Sequence, residues 1–214
     1  LLGKQIACAQ CHNHPLIPEI EQRHYWGLVA FFKRSFNVET PNGLALGEAA
    51  TGGQFEFSSL EGDSFKAELA FLSGKTAEDI TNEAYSVMPS KEYLERLTKK
   101  DKARKKRKGP PKMEMAPIPV VSRRGALAEM VIESYPEFAK AFVNRIWALL
   151  VGRGLVHPVD HLDSIHPPSH PELLEWLGKD FASKGYNVKR LIREIMTSRA
   201  YQIDSLPMGA ERPT

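Results

Sequence analysis

"PEFAKAFVNRIWALLVGRG", residues 136–154, is the stretch with the clearest fold signal in this chain. Pro136 suits the first turn of a helix, and Gly152 and Gly154 are typical of a helix C-terminus. Apolar residues recur between these limits at helical spacing, at Phe138, Ala141, Phe142, Ile146 and Leu149. The stretch therefore predicts an amphipathic helix with one face in a hydrophobic core.

Neighbouring segments extend this helical pattern. Residues 122–134 and 169–185 also repeat apolar residues at helical spacing, and Ser169 and Glu172 have capping-box spacing. Asn187 can cap a final helix. The apolar positions include Leu127, Met130 and Val131 in the first of these helices and Val188, Leu191, Ile192, Ile195 and Met196 in the last. We expect four amphipathic helices joined by short turns.

The first part of the chain has weaker patterns. Residues 1–36 predict two short helices that bracket a cysteine motif, and residues 76–97 are weakly helical. Between them the chain is rich in Gly and Pro, and only "QFEFSS" alternates like a strand. The apolar stripe expected in the second helix is Tyr25, Leu28, Val29, Phe32 and Phe36. The expected fold class is mainly α, with two helical segments linked by an irregular, Gly-rich region that holds at most a small β element.

Charge divides the chain further. Its 214 residues have a formal net charge of +3, but "KKDKARKKRKGPPK", residues 99–112, supplies the excess and leaves the rest mildly acidic. A run this polar cannot bury enough apolar surface to fold alone. We expect a flexible basic linker over 99–119. It would join the C-terminal part of a domain that bears the cysteine motif, 1–98, to a helical domain of unknown function, 120–214. The run lacks an aromatic platform, so we do not expect a nucleic-acid partner.

The cysteine motif is "IACAQCHNHP", residues 6–15, which contains both cysteines of the chain. Covalent haem c attachment needs two thiols at this spacing, followed at once by a histidine that ligates the iron. Cys8, Cys11 and His12 meet that requirement. A sixth ligand would come from Met88, His24, a histidine of 157–170 or a part of the protein outside this sequence.

Other interpretations of the motif remain open. Cys8, Cys11 and His14, with His24 or His12 as a fourth ligand, form a set that suits Zn²⁺ or mononuclear iron. A redox-active C-x-x-C pair is a third possibility, although no βαβ context accompanies it. The simplest alternative is a structural disulfide or a pair of buried thiols.

A second group of polar residues lies in 157–170: His157, Asp160, His161, Asp163, His166 and His170. Four prolines in and beside this segment exclude a continuous helix, so we expect a loop, either structural or with a metal or catalytic role. Arg145 is expected to be half-buried and to pair with Asp160 or Asp163. An anion-binding corner of Arg145, Arg199 and His170 is the alternative. Trp147 and Trp176 are expected to pack in the core.

Several of these motifs resemble a known family. "CAQCH-x-HP" at 8–15, "YWGLVAFF" at 25–32 and the long segment 141–202 are similar to the planctomycete cytochrome-associated domains. These are two domains of uncharacterised function in large proteins that often carry a cytochrome c-like domain. The resemblance implies an exported, periplasmic, multidomain protein with redox partner proteins or a fused cytochrome domain. It also suggests that this chain is a piece of a longer protein.

Within the loop, the resemblance implies a particular choice of ligands. His157, Asp160 and His170 look like the family's pattern and are the candidate metal ligands, whereas His161 and His166 look peculiar to this sequence. The expected function is a c-type haem-binding module of an electron-transfer or oxidoreductase protein. One alternative is a non-haem protein or enzyme that binds Zn or Fe, and the resemblance suggests polysaccharide as its substrate. The other is a helical scaffold that docks partners.

Overall fold

The computed structural model describes residues 2–40, 43–79, 86–87, 118–119 and 121–203. Within these ranges the α-helices are α1 Gln22–Phe32, α2 Arg123–Ser134, α3 Glu137–Val151, α4 Pro171–Ser183, α5 Val188–Thr197 and α6 Arg199–Gln202, and a 3-10 helix spans Ala7–Gln10. None of the helices in this part of the chain is both long and apolar enough to cross a bilayer.

Three antiparallel strand pairs accompany these helices in the described ranges. They are β1 Ser35–Thr40 with β2 Gly43–Glu48, β3 Glu56–Ser58 with β4 Ser64–Lys66, and β5 Ser86–Val87 with β6 Ile118–Pro119. Asn37 pairs with Leu46 in the first hairpin, and Phe57 pairs with Phe65 in the second. The expectation of a mainly α chain is therefore wrong, because the fold mixes helices with antiparallel strands.

The reason for this error lies in the first hairpin. Its strands leave Leu44 76% and Leu46 49% exposed, so they lack the alternation of buried and exposed side chains that identifies a strand. The sequence Asn42-Gly43 is typical of a hairpin turn. The surrounding segment is rich in Gly, however, and was therefore predicted to be irregular. The strand expected at "QFEFSS" is confirmed as β3.

The chain forms two compact units. The first, here called the motif unit, comprises Ala7–Asn13 and Ile20–Met130; the second, the helical unit, comprises Leu1–Ile6, His14–Glu19 and Val131–Thr214. The basic segment 99–112, Met88 and most of the helix expected over 76–97 lie outside the described residues.

The helical unit contains three of the four helices expected at its end of the chain, α3, α4 and α5, whereas the helix expected at 122–134, α2, lies mostly in the motif unit. Its core consists of Ala139, Val143, Leu155, Val156, Leu174, Leu177, Phe181, Leu191 and Ile195. Phe142 and Phe181 stack with ring centroids 5.2 Å apart, which joins α3 to α4. Trp147 packs against the edge of this core, as expected.

Some core assignments in this unit are wrong. Leu149 is 75% exposed and Trp176 is 59% exposed. The buried face of α3 is centred on Val143 and Asn144, which are both fully buried. This face is displaced around the helix from the apolar face that the sequence predicted. A buried polar residue shifts the face of a helix in a way that an apolar pattern does not show.

The helix caps agree with the sequence at Gly152 and Asn187 but differ from it at Ser169. Gly152 ends α3 with φ +90°, and the Asn187 side chain accepts a hydrogen bond from the Arg190 N–H at 3.0 Å. The predicted capping box at Ser169 is wrong, because α4 begins one residue later, with Pro171 in its first turn. The Ser169 hydroxyl instead donates to the Leu155 carbonyl at 3.1 Å.

In the motif unit, α1 buries a different face from the one expected. Gln22, His24, Gly27, Ala30 and Phe31 are buried, whereas Phe32 is 49% exposed. A Cβ on Gly27 would lie 2.3 Å from the Ala70 carbonyl oxygen, so this face approaches another part of the backbone closely. Contact of backbone with backbone, which glycine permits, sets the orientation of α1.

A buried arginine holds the motif unit together. Arg123 donates through Nε and Nη2 to the two carboxylate oxygens of Asp79, at 3.0 and 2.7 Å. Its Nη1 also donates to the carbonyl oxygens of Ala30, at 2.9 Å, and Gly53, at 3.1 Å. One side chain therefore links α1, the segment after β2 and the start of α2, and its charge is paired in a bidentate manner.

Candidate functional site

The CxxCH motif forms a single turn in the motif unit. Cys8 lies in the 3-10 helix, and its carbonyl oxygen accepts hydrogen bonds from the N–H groups of Cys11, at 3.3 Å, and His12, at 3.5 Å. Both thiols are exposed and unbonded to each other. The interpretation as two buried thiols is therefore wrong, and both sulfurs are accessible to a reagent or cofactor.

His12 has a distinct hydrogen-bonding state. Its Nδ1 lies 2.7 Å from the carbonyl oxygen of Asn13, and a carbonyl can only accept, so Nδ1 carries the proton. In a neutral ring Nε2 then holds the lone pair. A histidine anchored through Nδ1–H to a backbone carbonyl has the usual arrangement of a metal ligand.

His14 and His24 have the opposite tautomer. His14 Nδ1 accepts hydrogen bonds from the N–H groups of Leu16, at 3.2 Å, and Ile17, at 3.1 Å. His24 Nδ1 accepts from the Glu21 N–H at 3.1 Å in the capping box of α1. When neutral, both rings carry their proton on Nε2, and their Nδ1 lone pairs already serve the backbone.

An aromatic surface accompanies the motif. The Trp26 indole N–H donates to the carbonyl oxygen of Gln10, which lies between the two cysteines, at 3.1 Å. Trp26 stacks on Phe57 with centroids 5.8 Å apart, and Phe57 stacks on Phe65 at 5.7 Å. Phe65 is 48% exposed. The β3–β4 hairpin therefore supplies a partly exposed apolar surface beside the cysteine turn.

A second site lies in the loop between α3 and α4 of the helical unit. The Asp163 side chain is only 1% exposed, and one of its carboxylate oxygens lies 2.7 Å from His166 Nδ1. His161 Nδ1 lies 3.5 Å from the other oxygen. The two imidazole centroids are 4.7 Å apart. Among the described residues, these three are the group whose nitrogen and oxygen atoms lie close enough together to hold a metal ion.

Asn144 fixes the start of this loop from inside the core. Its amide donates to the Val156 carbonyl and accepts from the Val156 N–H, both at 2.9 Å. Gly154 passes so close that a Cβ there would lie 2.4 Å from the Val156 carbonyl oxygen. The buried Asn144 amide thus satisfies the backbone N–H and carbonyl of Val156, which would otherwise need backbone partners.

The N-terminal segment of the helical unit fixes the loop from a second side. The Leu162 N–H donates to the Gly3 carbonyl at 2.7 Å. Glu19 accepts from both the N–H and the hydroxyl of Ser164, each at 2.9 Å. Burial would raise the pKa of Glu19, but hydrogen bonds from its own backbone and Ser164, with the charge of Lys4, lower it overall.

A cleft of about 340 Å³, with both charged and apolar lining residues, adjoins the loop within the helical unit. Asp163, Ser164 and His166 contribute to its wall. The other lining residues are Lys4, Glu19, Glu137, Lys140, Val156, Leu162, Pro168, Pro171, Leu174 and Glu175. Lys140 Nζ lies 2.6 Å from Glu175, so two of the charged lining residues are paired with each other.

The ligand set expected in this loop is not brought together. His157 and His170 are both exposed. Asp160 forms an ion pair with Arg145, which confirms the predicted partner of that arginine. His170 Nδ1 lies 3.1 Å from the Ser169 hydroxyl. Arg199, the third member of the expected anion-binding corner, is exposed on α6.

The clustered residues were visible in the sequence but were not selected there. His161, Asp163 and His166 lie within six consecutive residues, yet the resemblance favoured their neighbours. Sequence spacing does not indicate which His and Asp side chains of the loop lie together. An irregular, proline-rich loop has no regular period from which their directions could be predicted. Arg123 gave no sequence signal, since it lies among charged and small residues.

Residues 123–212 match a family model, PSD1, described as "Protein of unknown function (DUF1553)". The match begins at Arg123 and covers α2–α6 together with the loop that carries Asp163. It is consistent with the planctomycete-type family that the motifs resemble, and it assigns no activity. No curated protein and no solved structure shows significant similarity to the chain.

Proposed function

We propose that Cys8, Cys11 and His12 hold a covalently attached haem c. The chain would then be the haem-bearing part of an exported electron-transfer or oxidoreductase protein. The observation that carries this proposal is the pair of exposed, unbonded thiols on one turn, followed directly by a histidine with its lone pair on Nε2.

The chemistry of attachment matches the state of the two cysteines. In haem c each thiol adds across one vinyl group of the porphyrin, so that a C–S bond forms and the thiol hydrogen passes to the neighbouring carbon. The reaction consumes no oxidant, and it requires two accessible thiols. Cys8 and Cys11 are both exposed and meet this requirement.

The tautomer of His12 supports it as the residue that would ligate the iron. An Nδ1–H that donates to a backbone carbonyl orients the ring and makes Nε2 more basic, as in most metal-bound histidines. The competing Zn or Fe clasp needs His14 or His24 in addition to the thiolates. The Nδ1 atoms of both accept hydrogen bonds from backbone N–H groups, and those bonds would have to break before an Nε2 lone pair became available.

The surroundings provide part of an apolar environment. The stack of Trp26, Phe57 and Phe65 lies beside the cysteine turn, and Phe65 leaves about half of its surface exposed. A large planar macrocycle gains free energy by covering such rings. In this proposal the partners are redox proteins or a fused cytochrome domain in the periplasm, as the family resemblance implies.

The test is expression in a periplasm that contains the cytochrome c maturation machinery, followed by intact mass and a pyridine haemochrome spectrum. We expect a one-haem adduct on the wild-type chain and none on the Cys8→Ser/Cys11→Ser variant. His12→Ala should change the iron ligation and shift the Soret band. The matched control His14→Ala should leave both adduct and spectrum unchanged.

An unmodified mass and no Soret band on protein with a native circular dichroism spectrum would refute the haem proposal. Elemental analysis of that sample would then decide between the remaining classes. Zn or Fe that disappears in the double cysteine variant indicates a metal clasp. Neither haem nor metal at the cysteines indicates a scaffold.

A further inference from the structure

We propose that His161, Asp163 and His166 form a second site, which binds one divalent transition-metal ion. The proposal concerns the helical unit and does not depend on whether haem is attached at Cys8 and Cys11. It rests on a buried carboxylate, an unpartnered imidazole nitrogen and the cleft beside them.

The first argument is the burial of Asp163. Its side chain is 1% exposed, and one oxygen accepts from the Ile165 N–H at 3.2 Å and from His166 at 2.7 Å. A buried carboxylate is costly unless positive charge or several hydrogen bonds compensate it. Its second oxygen has His161 as a neighbour, at a distance longer than a hydrogen bond.

The second argument is His161. Its Nδ1 atom is buried and has no hydrogen-bond partner among the described residues. Buried polar atoms without protein partners are rare in folded proteins, and they often serve to bind an ion or an ordered water. The 3.5 Å from this nitrogen to Asp163 is close to the separation of about 3.3 Å between neighbouring ligands of an ion with bonds of about 2.0–2.1 Å in tetrahedral geometry.

The third argument concerns the proton between His166 and Asp163. At 2.7 Å the pair shares a hydrogen bond that occupies the position of a metal–ligand interaction. In a metal complex the Nδ1 atom of His166 would carry a lone pair in place of this proton, which a neutral imidazole can hold on Nε2. The site then has a metal-free state that is itself hydrogen-bonded, which is compatible with a folded loop.

The donor set specifies the class of metal. Two imidazoles and one carboxylate suit Zn²⁺, and they are also the ligand set of non-haem Fe²⁺ sites, in both cases with coordination positions left open. Asp163 and His166 line the cleft, so a water or ligand in the cleft is the natural occupant of an open position. The proposed ligand is therefore a borderline divalent ion.

Contacts within the protein also fix the loop in the absence of metal. Asn144 bonds Val156, Gly3 accepts from Leu162, and Glu19 accepts twice from Ser164. Val156 precedes the three ligands in sequence, and Leu162 and Ser164 lie between them. A site held by such contacts loses little conformational entropy on binding.

The experiment uses the full chain carrying Cys8→Ser/Cys11→Ser, so that thiolates cannot contribute. Co²⁺ is titrated and followed by its visible d–d absorption, and Zn²⁺ is then added as competitor. We expect one equivalent of Co²⁺ to bind and to be displaced by Zn²⁺. His161→Ala and His166→Ala should each weaken binding by about 100-fold or more, since loss of an outer-shell partner alone costs 10–100-fold.

His157→Ala and His170→Ala are the matched controls, because both histidines are exposed in the same loop. They should change the affinity by less than about threefold. Asp163→Asn, which keeps the shape of the side chain, is the second ligand variant if an alanine variant proves unfolded by circular dichroism. Absence of one-equivalent binding by folded protein would overturn the proposal, as would equal losses in the controls. A failed haem test leaves this result unaffected.

Discussion

Glu19 binds Ser164 through two hydrogen bonds of 2.9 Å, although 145 residues separate them in the chain. Ser164 directly follows Asp163, the buried carboxylate of the proposed metal site. The position of this loop therefore depends on an acidic residue close to the cysteine motif in sequence. The Glu19–Ser164 contact also explains how a proline-rich loop outside any helix is held in one conformation.

The first prediction concerns the pH dependence of this contact. Because the pKa of Glu19 is lowered in the folded state, its stabilising contribution is fully present above the unfolded value of about 4.3 and is lost as pH falls through the lower folded value. The free energy of unfolding, measured in urea at pH 3–7, should be larger for wild type than for Glu19→Gln above pH 5. The two should converge toward pH 3. A difference that stays constant with pH would contradict this assignment.

The second prediction concerns Asn144. Asn144→Ala leaves the N–H and the carbonyl of Val156 buried without partners, which we expect to cost about 2–4 kcal/mol. Arg145→Ala, at the next residue, removes a largely exposed ion pair with Asp160 and should cost under about 1 kcal/mol. Urea unfolding of both variants measures the difference. Equal effects would show that the amide does not hold the loop.

The third prediction concerns the buried guanidinium of Arg123. A lysine cannot reproduce its bidentate contact with Asp79 together with the bonds to Ala30 and Gly53. We expect Arg123→Lys to destabilise the protein by about 3–5 kcal/mol. Arg124→Lys, at a partly exposed side chain that contacts Glu48 through Nε alone, should cost about 1 kcal/mol or less. Similar denaturation midpoints for the two variants would refute the central role of Arg123.

The fourth prediction compares two glycines in helices. Gly27→Ala would place a methyl group 2.3 Å from the Ala70 carbonyl oxygen, so α1 must move, at a cost of about 1–3 kcal/mol or more. At Gly125 in α2 the nearest atom is a Ser122 side-chain carbon at 3.3 Å. There the substitution should change stability by less than about 1 kcal/mol. Thermal unfolding of the two variants tests this order.

Helix ends were predicted correctly where the residue at the end itself determines the local backbone conformation. Gly152 and Asn187 mark helix ends through their own backbone and side-chain preferences, which act within a few residues. The β1–β2 hairpin was missed because its apolar residues remain exposed, as Leu44 illustrates. A strand that buries no face has no alternation for a pattern to detect.

The sequence by itself determined the helices of the C-terminal third and the C-x-x-C-H spacing, because helical periodicity and motif spacing are properties of neighbouring residues. Only the tertiary structure decided the tautomers of His12, His14 and His24, since each depends on which backbone atom lies beside Nδ1. It likewise chose His161, Asp163 and His166 from among six candidates in the loop. Contacts from Glu19, Gly3 and Asn144 determine which side chains of an irregular loop converge, and no local rule encodes such distant contacts.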